Sequence, residues 1–270
     1  NKNVNREIVK QYATNHYIHT GGGIHTIEDA QELLKASVRR IVIGSNTDDE
    51  FLNKIPKERL IVELSVNEQF EVLIDGRKTN THVHIRSKLV QLAELKVEAV
   101  SITFQQTEVM CEGIPRGMIT ELVNMVPKSV RKVFIAGGIT TINDIKFIWS
   151  FPKLIPQLGS AIWKNKISLG ELYCAMAKWT NMFGFNLITC VIQNKNGLVL
   201  GVVYMNEQSL KLTCDTKLLH RYSRQFSKVM CKGETSGNFQ QIIKMSFDCD
   251  SDALLVTVSD TKPFCHTSNQ

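Results

Sequence analysis

The chain lacks any run of eighteen apolar residues, so no transmembrane helix is expected. It shows no signal peptide, and because it does not open on Met, residue 1 need not be the native start. A paired cysteine framework is missing too. Seven Cys are scattered from Cys111 to Cys265, a usage that fits a reducing, cytoplasmic setting better than a disulfide scaffold. The formal net charge is +6, yet it forms no basic stripe and accompanies no nucleic-acid motif. Such a balance suits a small polyphosphorylated substrate, and neither nucleic acid nor membrane is expected as a partner. What is present is an ordinary globular composition, 43% hydrophobic and 21% charged, in 270 residues. That length allows about two domains.

An internal repeat occupies the first two-thirds. Gly21-Gly-Gly-Ile-His-Thr-Ile-Glu-Asp-Ala30 is echoed by Ala136-Gly-Gly-Ile-Thr-Thr-Ile-Asn-Asp-Ile145. Each copy leads to an apolar run and a Gly-Ser pair, Gly44-Ser45 and Gly159-Ser160. In both copies the spacing from the middle Gly (Gly22 or Gly137) to the Gly of that pair is 22. Each copy predicts a short strand, a glycine turn, a Thr-x-x-Asp cap (Thr26 with Asp29, Thr141 with Asp144) and an amphipathic helix. Glycine turns between a strand end and a helix start can cradle phosphate. They also serve as plain turns in a parallel α/β fold. Two matched copies point to duplication of half a barrel. Strands are further expected at Arg59–Val66 and Val97–Thr103, with a helical pattern at Lys88–Lys96 between them.

In the last third, Leu187–Gln193 and Leu198–Met205 read as strands joined by a turn at Asn194–Gly197. Glu207–His220 reads as a helix, and His220, Tyr222 and Arg224 alternate in the strand after it. A donor-rich loop follows. Lys232 brings charge, Thr235 and Ser236 bring hydroxyls, and Gly233 and Gly237 let backbone N–H groups turn toward an anion. Beyond it lie Asp248, Asp250 and Asp252, which on an extended chain would share one face with Cys249 on the other. A bare Asp-x-Asp-x-Asp fits either a solvated acidic turn or a divalent-cation site. The apolar segments on both sides read as strands and favour the cation.

Four stretches occur in one order: Tyr204-Met-Asn-Glu207, Tyr222-Ser-Arg224, Lys232-Gly-Glu-Thr-Ser-Gly-Asn238, and Asp248-Cys-Asp-Ser-Asp-Ala-Leu254 followed by Cys265-His-Thr267. From about Asn186 to the end the chain closely resembles phosphoribosyl-AMP cyclohydrolase of histidine biosynthesis. The resemblance implies hydrolytic opening of the adenine ring of a doubly phosphorylated nucleotide, with Zn²⁺ and Mg²⁺ as cofactors. It assigns zinc to Cys249 and Cys265 and magnesium to Asp248, Asp250 and Asp252. It gives catalytic parts to Lys232, Glu234 and His266. Substrate contacts fall to Arg221, Arg224, Lys232, Thr235, Ser236, Gly237 and Asn238. A homodimer with sites at the subunit interface is implied as well. The family's third zinc cysteine would fall just past Gln270, so a truncated end with poor zinc retention is expected. Read without the family, Cys249, Cys265 and His266 are two buried thiols and a surface imidazole. Cys214 and Cys231 match no family ligand and are expected to pack. Met230-Cys231 replaces the family's usual Trp-Arg, a change in the pocket wall.

Residues 5–180 resemble the phosphoribosylformimino isomerase of the same pathway and its cyclase relative, both (βα)₈ barrels with two phosphate sites. Only about six βα units are visible, and the family's acidic residues are missing. The fifth-strand position is Ser65, and Thr103-Phe-Gln-Gln-Thr107 has no Asp. Glu63 remains and is expected to pair with a neighbour.

The expected architecture is therefore α/β: a partial or degenerate (βα)₈ barrel-like, non-catalytic domain at 1–182, tightly joined to a small α+β cyclohydrolase-like domain at 183–270. The pairing resembles the N-terminal part of multifunctional histidine-biosynthesis proteins of fungi. The alternative is a non-catalytic scaffold with a metal-binding domain.

Overall fold

A computed structural model describes residues 2–44, 48–105, 113–259 and Phe264, with side chains described from Asn5 onward. The chain divides into two compact units, 1–161 and 162–270.

In the first unit, helix α1 (Lys2–Ala13) precedes an alternation of strands and helices. Strands β1 (His19–Gly21), β2 (Arg40–Gly44), β3 (Leu60–Val66), β6 (Ala99–Phe104), β7 (Lys132–Ala136) and β8 (Leu154–Gln157) pair in that order, all parallel. They form a curled half-barrel sheet, and six parallel strands agree with the six units read from the sequence. Helices α2 (Ile27–Lys35), α3 (Asp49–Asn53), α4 (Ile85–Glu94), α5 (Arg116–Val123) and α6 (Ile142–Trp149) lie between the strands in the chain. The core holds Leu60, Val62, Leu64, Val100, Ile102 and Ile135, all nearly inaccessible. A departure is the antiparallel pair β4 (Glu71–Ile74) and β5 (Thr79–His84), which extends from the end of β3. The sequence carried a signal for it, since Asp75-Gly76 at its turn is a favoured hairpin pair.

The repeat is visible in atomic detail. The Thr26 Oγ1 accepts from the Asp29 N–H at 3.2 Å, while Asp29 accepts from the Thr26 N–H at 3.3 Å. Thr141 and Asp144 make the same exchange at 3.2 and 3.0 Å. Each exchange satisfies orphan donors at a helix start. An arginine reaches each Asp as well: Arg6 at 2.7 Å from Asp29 and Arg116 at 3.4 Å from Asp144. The Arg6 contact is the main reason the Asp29 carboxyl falls from 3.8 to about 2. A depressed carboxyl stabilises the fold above its unfolded value and loses that contribution as pH falls through the folded one. Acid titration should therefore show a loss between pH 3.8 and about 2 that is absent in Asp29→Asn, followed by circular dichroism.

Residues 162–182, expected to belong to the first domain, pack in the second unit. Helix α8 (Leu169–Met176) follows the short α7 (Ser160–Trp163) and buries Cys174 in the second core. Its Tyr173 hydroxyl donates to the Met245 carbonyl at 3.0 Å, and the ring stacks on Phe247. The compact units divide at 161/162 rather than at 182, because α8 packs against the later helix Glu207–Thr216, with Gly170 close on Lys211 and Cys174 beside the Glu207 carbonyl. No join lies there at all: β9 (Thr180–Met182) turns tightly into β10 (Phe185–Gln193).

The second unit is small and α+β, as expected. Its sheet runs β11 (Val199–Met205), β10, β15 (Ala253–Val258), β14 (Ile242–Phe247), with β9 also on β10. A separate pair joins β12 (His220–Ser223) and β13 (Lys228–Cys231). Asn194–Gly197 forms the expected turn, closed by the Asn194 N–H donating to Leu198. The helix read as Glu207–His220 ends earlier, as α9 (Glu207–Thr216), because Lys217 adopts φ 58°. His220 then opens β12, while Arg224 lies just past its end.

Among the described residues no helix is long and apolar enough to cross a membrane.

Candidate functional site

The donor loop begins where β13 ends. Gly233 has φ 102°, and a Cβ placed on it would lie 2.3 Å from the Asn238 carbonyl carbon. Only glycine lets the two arms of the loop approach so closely. The loop consumes several of its own donors. The Lys232 N–H donates to Leu219 at 2.8 Å, Glu234 to Cys231 at 3.2 Å and Gly237 to Gly233 at 2.8 Å. The Asn238 N–H donates to the Ser236 hydroxyl at 3.3 Å. The Glu234 carboxylate accepts from the Cys231 N–H at 3.0 Å, so it clamps the loop's entry. Thr235, Ser236 and Gly237 stay exposed. The Lys232 ammonium lies 4.6 Å over the Phe264 ring.

The acidic stretch departs from the extended geometry expected of it. Residues 248–252 form the connection between β14 and β15, closed by the Asp248 N–H donating to Ala253 and the Ala253 N–H returning to the Asp248 carboxylate at 3.2 Å. Ser251 takes φ 69° at the bend. Side-chain alternation therefore does not apply, and Cys249 does not point away. The Asp248 and Asp250 carboxylates and the Cys249 thiol all lie within 4.8 Å of one another, exposed. Repulsion from Asp250 raises the Asp252 carboxyl above its ordinary value. The Asp248 carboxyl is lowered: desolvation opposes the shift, and backbone N–H groups led by Ala253 outweigh it. The sequence reading missed a cation in this turn. Lys178 places its ammonium 3.6 Å from Asp250 and donates its N–H to Ser251 at 2.8 Å.

Such a donor set suits a hard divalent cation, which favours several carboxylate oxygens. A thiol beside them is the softer ligand that zinc accepts. Cys265 and His266 lie outside the described residues.

Arg224 is the other charge the structure places firmly. Its guanidinium sits 4.4 Å from the Phe183 ring centroid and 4.5 Å from that of Tyr204. Arg221 stands within β12, opposite Met230. Tyr222 instead packs on Phe185 at 5.0 Å. A cavity of about 570 Å³ lies against these two rings, with Asn206, Gln208 and Lys211 on its wall.

Among the described residues, Cys174, Cys190, Cys214 and Cys231 are packing residues. Burial holds the Cys174 thiol up at about 11 and Cys214 at about 12, and also raises Cys231. None of these supports a thiolate.

In the first unit Ser65 stands opposite Thr103, the first residue of the stretch Thr103–Thr107 that has no Asp; residues 106 and 107 of it lie outside the described residues. Ser65 accepts from Arg77 at 3.1 Å. Glu63 was expected to pair, yet it has no hydrogen-bond or ion-pair partner among the described residues. It lines a cavity of about 470 Å³ with His19, Ser101 and Gln157. The repeat's first glycine turn lines a smaller one with Arg6. Ser45 and residues 106–112, which include Cys111, lie outside the described residues.

Fold and loop thus define a two-unit α/β protein whose smaller unit gathers acidic, thiol and basic groups. The chain belongs to the histidine biosynthesis proteins, whose family model matches residues 1–168, and in its last third to the phosphoribosyl-AMP cyclohydrolases, whose model matches residues 201–270. A phosphoribosyl-AMP cyclohydrolase of Methanococcus maripaludis is 44% identical over 89 residues, 33% of this chain and 69% of the relative. One from Archaeoglobus fulgidus is 44% identical over 84 residues, 31% of this chain and 78% of the relative. A histidine biosynthesis bifunctional protein of Pyrococcus furiosus is 42% identical over 83 residues, 31% of this chain. The chain spans only 40% of that relative's length.

Proposed function

We propose that the second unit hydrolyses the adenine ring of phosphoribosyl-AMP, as a zinc- and magnesium-dependent cyclohydrolase acting as a homodimer. The observation that carries this reading is the acidic turn, where Asp248, Cys249 and Asp250 converge within 4.8 Å in a segment matching the cyclohydrolase family. Asp248, Asp250 and Asp252 would hold magnesium, and Cys249 with Cys265 would hold zinc. When bound, the metals supply Lewis acidity that brings hydroxide within reach near neutral pH, and positive charge that offsets the phosphates. The protein's own residues bind and orient. Arg224, Arg221 and Lys232 offer charged donors to the two phosphates, and Thr235 and Ser236 add hydroxyls on the exposed arm of the loop. Glu234, fixed on the Cys231 N–H, keeps that arm in place. The test is turnover of phosphoribosyl-AMP by the purified chain, followed by the ring-opening absorbance change. Absence of turnover with both metals supplied overturns the reading.

The first unit, on this reading, keeps a barrel-like shape without its chemistry. A hydroxyl at Ser65 cannot replace a carboxylate in proton transfer at neutral pH, and the stretch Thr103–Thr107 offers no Asp. The expected result is that the chain fails to complement an isomerase-deficient strain. Growth would show that another group supplies the acid–base pair.

A further inference from the structure

The turn between β9 and β10 has two residues, Phe183 and Gly184, since Met182 pairs with Phe185. Their φ angles are 57° and 80°. Two positive φ values are what the tight I′ hairpin turn demands, and Asn-Gly is the pair that meets the demand at least cost. A bulky side chain in the left-handed region is strained. Burial does not compensate, because Phe183 is 67% exposed. What the ring does touch is Arg224, whose guanidinium it faces at 4.4 Å, and the ring of Tyr204, which it meets nearly edge-on at 79°. Arg224 thus sits in the corner of two aromatic rings. Stacking restrains the plane of a guanidinium and leaves its in-plane N–H fork directed outward. Arg224 is exposed and has no ion-pair partner among the described residues.

We infer that Phe183 is a positioning residue: the turn tolerates its strain because the ring, with Tyr204, aims the Arg224 fork at a phosphate of the substrate. This rests on the cyclohydrolase reading above. It adds a residue outside residues 201–270, the segment that the cyclohydrolase family model matches.

The test exploits the conflict between turn and ring. Phe183→Asn gives the turn its preferred residue and removes the stack. Its melting temperature should equal or exceed that of the parent chain. Its KM for phosphoribosyl-AMP should rise about two- to fivefold, the range for an exposed cation–π contact, with kcat changed less than twofold. The dissociation constant for AMP, measured by calorimetry, should rise in step, and Phe183→Tyr should restore both. Unchanged KM and AMP affinity in Phe183→Asn overturn the inference, as does a lowered melting temperature with kcat lost. A parent chain that binds AMP but never turns over substrate removes the cyclohydrolase reading, while weaker AMP binding by the variant still supports the positioning role. If the parent chain binds no AMP and turns nothing over, both fall.

Discussion

Replacing Asp250 with Asn should remove most phosphoribosyl-AMP turnover while leaving the fold intact. The carboxylate is exposed on a connection between two strands, so no core packing depends on it. Its charge is what counts. Asp248, Asp250 and Cys249 converge within 4.8 Å, and the neighbouring charges raise Asp252. Such crowding of like charge is relieved by a divalent cation, whose affinity follows the number of charged oxygen ligands. An amide keeps the volume and one oxygen but surrenders the charge. The loss should be tenfold or more at limiting magnesium and smaller at saturating magnesium, by roughly the free energy of one carboxylate ligand. Lys178 already spans 3.6 Å to Asp250, so the variant also frees that ammonium. The measurement is turnover against magnesium concentration, with Mn²⁺ binding read by electron paramagnetic resonance. Parental turnover at limiting magnesium would make the acidic turn purely structural.

The second large effect is expected at Gly233. A methyl group there would meet the Asn238 carbonyl carbon at 2.3 Å and the Phe239 nitrogen at 2.4 Å, both backbone atoms, on a residue with φ 102°. A side chain cannot move aside from backbone, so the loop itself must open. The left-handed conformation costs about 1–2 kcal/mol for a non-glycine residue, and forced backbone shifts add about 1–3 kcal/mol. Gly233→Ala should lose about 2–5 kcal/mol of stability in denaturant melts. Turnover should fall further than stability alone explains, because Lys232, Thr235 and Ser236 all move with the loop. A variant with the parental midpoint and turnover would show that the loop has another conformation open to it.

Much of this was legible in the residues because it is local. The Thr26–Asp29 and Thr141–Asp144 caps connect atoms three residues apart, so the motif alone places each helix start. Strands at Leu60–Val66 and Ala99–Phe104 followed from apolar runs of strand length, and the Asn194–Gly197 turn from its Asn and Gly. The motifs of the last third identified the family before any geometry was known. Local pattern misled where a single backbone angle intervened. Lys217 in the left-handed region stops α9 four residues before His220, and the bend at Ser251 turns an apparent strand of alternating carboxylates into a turn that brings Cys249 back among them.

The sequence by itself therefore determined the half-barrel repeat, the strand-rich last third and the residues that carry the proposed chemistry, since each rests on spacing within a few residues. Only the tertiary structure decided where one unit ends and what surrounds the site. Tyr173 reaches Met245, Lys178 reaches Asp250, and Phe183 meets Arg224 beside Tyr204. The first of these contacts joins residues 72 positions apart. These contacts depend on how the strands and helices of the second unit pack together, and no periodicity along the chain encodes that.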